Sequence, residues 1–293
     1  MPGDVRSSSG RFALDVMGTR AGLLKSFDGL DMTAEIVTTD TPGGQKKHVA
    51  NVGWTPAKAT IGIAMGKELY AIIQQAFKAQ PKRFDGALHV ANVDYKVQSS
   101  LNFSDAILTA MTFPKCDGSS KEPAYFDFEW EAESVRWRKG DNSDIRTSVA
   151  PAQKQWLCSN FRFEMGGLPT SRVATIDSFA WNYLLAPAQP GEPSKHPGRM
   201  TIPNITVEVS MADYDAWAEA ARKWFIDGQH EDNDEMAGAI VFLAADMKTE
   251  LGRVTLRHCG FAKFMRGTFE AGGDKIARFR CEFYVEEMEF ALS

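Results

Sequence analysis

The sequence predicts a mainly β fold of the α+β class: two tandem homologous antiparallel β-barrel or β-sandwich domains, each with one packed amphipathic helix. Three features predict it: an internal repeat, strand-like alternation at both ends of each copy, and one helical stretch in each. Phe12-Ala13-Leu14-Asp15 with Gly18 returns as Phe161-Arg162-Phe163-Glu164 with Gly167, and Lys47-His48 returns as Lys195-His196. Gly86-Ala87-Leu88, followed by Asp94 and Lys96, returns as Gly238-Ala239-Ile240, followed by Asp246 and Lys248. The run Phe126-Asp127-Phe128-Glu129-Trp130 returns as Phe279-Arg280-Cys281-Glu282-Phe283. The matches keep one order while their spacing drifts slowly, which chance does not readily produce. They divide the chain into a Ser/Gly-rich N-terminal arm at 1–10, a first domain at 11–138, a linker at 139–158 and a second domain at 159–293. The linker region is polar and contains Gly, Ser and Pro, the composition of an exposed connector.

Each copy opens on an alternating strand (Phe12, Leu14, Val16; Phe161, Phe163, Met165), and a second strand is expected near 32–38 or 176–184. A Gly/Pro-rich segment follows, TDTPGGQKKHVANVGWTP in the first copy and APAQPGEPSKHPGRMTIP in the second. It is too long for a tight hairpin and is expected to be a loop that serves as a functional arm. A third strand, at 59–64 or 205–210, runs into a helix. Its apolar residues recur every three or four positions: Leu69, Ile72, Ile73, Ala76 and Phe77, then Tyr214, Trp217, Ala218, Ala221, Trp224 and Phe225. Ser210 and Asp213 read as a capping pair that starts the second helix near Met211. Further strands are expected over 88–97 and 101–112, and over 240–247 and 254–264. A closing strand points Phe126, Phe128 and Trp130 inward and Asp127, Glu129 and Glu131 outward.

Composition narrows the function. The chain has 293 residues, 44% hydrophobic and 24% charged, with a net charge of −5, which is a globular profile without the basic surplus that supplies duplex-DNA affinity. Cys116, Cys158, Cys259 and Cys281 form no C-x-x-C pair and are expected to be reduced. The opening residues lack a signal-peptide pattern, and the apolar run 237–245 is too short to span a bilayer, so a cytoplasmic soluble protein is expected. No phosphate-binding loop, dinucleotide fingerprint, nucleophile elbow or H-E-x-x-H motif occurs. The five histidines include no H-x-H pair, which removes a double-cupin metal site. His48 and His196, equivalent in the two copies, have no neighbouring carboxylate or Cys to complete a metal set. The acidic run at 227–235 lacks the ligand spacing of an EF-hand. Lys46-Lys47 and the basic stretch at 20–25 read as solvated surface, and the aromatic residues read as core. No catalytic residue, metal or cofactor is expected, and the chain is not read as an enzyme.

The element order, together with FDFEWEAESV (126–135) and FRCEFYVEEM (279–288) in the closing positions, resembles the tail tube family of contractile phages and related contractile injection systems, with the tube domain duplicated. The family's Gly-rich arm corresponds to Gly43, Gly44, Lys46, Lys47 and His48 in one copy, and to Gly191, Lys195, His196 and Gly198 in the other. The resemblance implies a structural virion-type protein whose trimers form pseudo-six-fold rings that stack into a conduit for DNA or an effector. The arms would reach an adjacent ring. Asp127, Glu129, Glu131, Glu282 and Glu286 become candidates for lumen or inter-subunit faces, and tail sheath and baseplate proteins become the expected partners. Assembly is expected in the host bacterial cytoplasm, as part of a virion tail or injection particle. A tube initiator or baseplate hub that matches a three-fold spike to a six-fold tube is the alternative within this class. A β-barrel enzyme or small-ligand binder is the alternative outside it.

Overall fold

The alternation that opens each repeat does form a strand in the computed structural model, which describes residues 10–146, 156–186, 196–266 and 277–293. The first half comprises β1 (Arg11–Val16), β2 (Thr19–Asp28), β3 (Met32–Thr41), β4 (Gly44–Trp54), β5 (Ala57–Ile61) and α1 (Lys67–Phe77). It continues through β6 (Phe84–Ala91), β7 (Val97–Phe113), β8 (Cys116–Asp117), β9 (Phe126–Glu131) and β10 (Ser134–Lys139). The second half comprises β11 (Phe161–Met165), β12 (Val173–Ile176), β13 (Phe179–Ala186), β14 (His196–Thr201), β15 (Ile205–Ser210) and α2 (Tyr214–Phe225), then β16 (Met236–Leu243), β17 (Glu250–Arg266) and β18 (Arg278–Leu292).

The first sheet closes on itself. Its hydrogen-bonded order runs β7-β6-β1-β2-β5-β9, and β9 returns to β7 through pairs from Ile107↔Glu131 to Thr112↔Asp127, which makes a six-stranded antiparallel barrel. Closure leaves these strands no exposed edge. The second sheet passes through the corresponding neighbours, β11-β16-β17-β18-β15-β12, but β11 and β12 do not pair. The difference has a local cause. β1 and β2 meet in a two-residue turn with Met17 and Gly18 both at positive φ, 50° and 76°, the geometry whose twist suits a tight hairpin. No such turn joins β11 to the short β12, and β8 of the first half takes β12's outer edge instead.

Both helices lie where the periodicity puts them. α1 buries Leu69, Ile72, Ile73, Ala76 and Phe77, and α2 buries Trp217, Ala221 and Trp224. Phe225, expected on the apolar face of α2, is instead exposed. The Ser210 hydroxyl accepts the Ala212 N–H, so a 3-10 turn at Met211–Asp213 leads into α2 as the capping pair predicts. β9 alternates strictly, with Phe126, Phe128 and Trp130 buried.

Two expectations need correction. The basic stretch at 20–25 is not plain surface but the body of β2, in which Ala21, Gly22 and Leu24 are buried between flanking charges. The Gly/Pro-rich segment of the first copy is not an irregular loop. Pro42 and Gly43 form a two-residue turn between β3 and β4, tied by the Thr41 hydroxyl donating to the Gly44 carbonyl at 2.7 Å. Thr, Ile and Val crowd β3, and β-branched residues suit the extended backbone even where nothing is buried; β4, which holds only Val49 and Val52 of this kind, is paired along it.

One apolar core spans both halves. Phe113, at the end of β7, stacks on Phe179 at 4.6 Å and meets Phe126, Phe242 and Phe290 at 5.4, 6.2 and 5.4 Å. Within the linker region, Ile145 packs on Ala13, Ala91 and Val97, and Trp156 packs on Phe242 at 4.5 Å.

Candidate assembly interface

Each half carries a β-hairpin between its second and third barrel strands, and the two hairpins have different surroundings. β13 adds to the first barrel at the end of β7, with Phe179↔Phe113, Ala180↔Thr112, Trp181↔Met111 and Asn182↔Ala110 in register. The Trp181 ring is fully buried, stacked on Phe77 of α1 at 5.1 Å. The Tyr183 hydroxyl, one turn of the pleat further, donates to the Ala76 carbonyl at 3.0 Å. A hairpin from the second half is thus built into the wall of the first. Among the described residues, β3 and β4 pair only with each other and form a separate two-stranded sheet. Met32, Ile36, Val37, Val49 and Val52 on this hairpin are exposed, Met32 at 77%. An exposed apolar hairpin of this length is the kind of surface that proteins normally cover.

The sequence-predicted arm residues fall on these hairpins. Gly43 is in the turn and Gly44 opens β4 at φ 128°, while Lys46, Lys47 and His48 face Thr39, Thr38 and Val37 across the ladder, all exposed. His196 and Gly198 lie on β14, the outermost strand of the first sheet, where a Cβ on Gly198 would meet the Leu184 carbonyl at 2.7 Å. Gly191 and Lys195 lie outside the described residues.

The carboxylate candidates line the outward faces of the closing strands, but they are not a bare acidic row. Lys58 of β5 reaches Glu129 at 3.2 Å and Asp127 at 3.5 Å, and Asp127 also accepts the Thr60 hydroxyl at 2.6 Å. Glu131 stands opposite Ile107 of β7. In the second half, Glu282 takes hydrogen bonds from Asn204 at 2.7 Å and Lys263 at 2.8 Å, which hold its carboxyl below the usual range. Both copies therefore set a lysine against the equivalent glutamate, Glu129 or Glu282. Glu286 approaches Glu235 and His258, with ligand atoms within 4.8 Å of one another. Glu235 already accepts from Tyr284 at 2.9 Å and pairs with His258 at 2.8 Å, so the cluster is satisfied as an ion pair.

Sequence reasoning missed one polar network. Asp15 of β1 bonds Arg20 of β2 and lies 3.0 Å from His89 Nε2 on β6, whose Nδ1 is 2.7 Å from the Ser100 hydroxyl of β7. The three residue types match a hydrolytic triad, but Ser100 is 8% exposed on a continuous strand, closed off from a substrate. The network ties four barrel strands together. Three of the four thiols are shielded by their surroundings: burial, then the charge of Glu235, pushes Cys259 up to about 12, and burial raises Cys116 and Cys281 as well.

No helix is long and apolar enough to cross a membrane among the described residues. No family profile and no curated protein matches the chain. Among solved structures, the chain is similar over 46% of its length to 93% of a chain in the sheath–tube complex of an extracellular contractile injection system, PVC, in its extended state, at 22% identity and a TM-score of 0.41. It is similar over 47% of its length to 95% of a chain in the tube-terminating cap of the anti-feeding prophage, at 21% identity and a TM-score of 0.41. It is also similar over 44% of its length to 96% of Hcp1 from Flavobacterium johnsoniae, at 18% identity and a TM-score of 0.31.

Proposed function

We propose that the chain is a structural subunit of the inner tail tube of a contractile tail or injection machine, without an enzymatic role. The observation that carries this reading is the strand exchange between its halves: β13 extends the first barrel at β7, and β8 extends the second sheet at β12. One barrel is seated on the next through an edge, and the same step taken from chain to chain is a head-to-tail contact that generates a ring when its rotation closes. The chain is then a duplicated tube domain with its boundary in 139–158, and a trimer supplies a pseudo-six-fold ring. Stacked rings form a conduit for DNA or an effector inside a sheath, on a baseplate, assembled in the host bacterial cytoplasm. The hairpin tips, with Gly43, Gly44, Lys46, Lys47 and His48 in one copy and the segment containing Gly191, Lys195, His196 and Gly198 in the other, are the parts that reach an adjacent ring. Asp127, Glu129, Glu131, Glu282 and Glu286 serve lumen or inter-subunit faces, where like charge keeps a polyanionic cargo from sticking.

A second reading has one observation in its favour. The first barrel closes and the second does not, so a trimer alternates unlike barrels, which suits a tube initiator or baseplate hub facing a three-fold partner. Light scattering across a concentration series separates the readings. Mass that grows without limit indicates a main tube protein, a plateau at one ring indicates an initiator or hub, and a monomer at every concentration contradicts both.

A further inference from the structure

We infer that the base of the β3–β4 hairpin adds, as an extra antiparallel strand, to the open edge of β17 in a second copy of this chain. The inference deepens the assembly reading and rests on it only in requiring that a second copy be within reach.

The chain contains its own template for this contact. β13 can dock on β7 because β6, which pairs with the first part of β7, leaves that edge at Ala106. β17 is built the same way. β16 leaves its edge at Cys259, while β18 follows the opposite edge out to Arg266. Among the described residues, no strand occupies the β16 side of β17 from 260 to 266. Pairing with the closing strands fixes which residues correspond. Ala110↔Glu129, Met111↔Phe128 and Thr112↔Asp127 in the first half match Lys263↔Glu282, Phe264↔Cys281 and Met265↔Arg280 in the second.

The hairpins correspond with equal clarity, since Thr33↔Gly53 of β3–β4 matches Asn182↔Thr201 of β13–β14. Met32 is therefore the counterpart of Trp181. One is 77% exposed and the other fully buried, and the difference between them is a docked hairpin. Carrying the β13–β7 register across sets Met32 opposite Phe264 of the partner subunit and Thr33 opposite Lys263 of the partner subunit. Main-chain hydrogen bonds supply the affinity in such strand addition, and a methionine against an aromatic ring supplies a specific apolar contact. Each chain holds one donor hairpin and one acceptor edge, so copies join head to tail.

Cysteine pairing tests the register. Chains carrying Thr33→Cys are mixed with chains carrying Lys263→Cys, both exposed positions, and the mixture is oxidised or treated with a short bismaleimide. A mixture of Thr33→Cys with Arg257→Cys, a position flanked by strands on both sides, is the control. The expected result is a covalent heterodimer in the first mixture and none in the control or the unmodified protein. Each sample is also imaged by electron microscopy. Rings or tubes without the cross-link overturn the docking and leave the tube reading standing. The cross-link without rings or tubes supports the docking and overturns the tube reading. A monomer without cross-link overturns both.

Discussion

Asp15 is held between Arg20 and His89 on three adjacent barrel strands. Burial opposes its charge, but hydrogen bonds from His89 and Arg20 outweigh that cost and hold the carboxyl below the ordinary range. A folded-state pKa below the unfolded one, about 3.9, gives stability that is present above the unfolded value and lost as pH falls. Asp15→Asn is expected to cost about 1–3 kcal/mol at neutral pH. The denaturant midpoints of variant and parent should then converge as the solution is acidified, whereas a gap independent of pH would remove the ion network from this account. Trp181 and Met32 make a second pair of expectations from equivalent positions. Trp181→Ala should destabilise the isolated chain by about 3–5 kcal/mol through the cavity it leaves. Met32→Ala should change the same chain by no more than about 0.5 kcal/mol, with its effect confined to assembly; equal losses in a chemical melt of the monomer would show that Met32 is already packed. The cysteines follow the same logic of environment: Cys158, half-buried, should be the first to label in native protein, ahead of buried Cys116, Cys259 and Cys281.

At the scale of elements, the parts of the fold legible in the sequence are those whose pattern is set by a single buried face. β9 shows this with Phe126, Phe128 and Trp130, and α1 with its stripe from Leu69 to Phe77. β2 was illegible because Arg20 and Lys25 frame a strand whose inward positions include a glycine, and charge masked the alternation. Of the β3–β4 hairpin only the first strand was legible, since the expected strand at 32–38 lies within β3. β4 was not, because it is exposed along most of its length, no hydrophobic period marks it, and the Pro-Gly-Gly at the tip read as a loop. Strand exchange between halves left no signal either, because the pairing of Trp181 with Met111 joins distant parts of the chain through backbone groups that every residue carries. The sequence singled out residues near the hairpin tip, Gly43 to His48, but not the base that distinguishes a docked hairpin from an undocked one. Deleting residues 42–49 should leave thermal unfolding of the monomer unchanged, since the tip packs on nothing in the core, and should abolish ring stacking; a lost or broadened transition would place the tip in the folding unit instead.

The whole molecule is two barrel-like sheets of matching strand order, sharing one core and unequal in closure. The inequality follows from what each edge is given: β1 and β2 have a tight turn, whereas β12 is given β8 of the other half. In the proposed ring, closed and open barrels would alternate, and the true symmetry would be half the apparent one. Assemblies viewed down their axis by cryo-electron microscopy test this most directly. The account predicts rings with a six-lobed outline whose lobes alternate in density, so that only three-fold averaging sharpens the hairpins. Six equivalent lobes, an odd number of lobes, or particles without a central channel would contradict it.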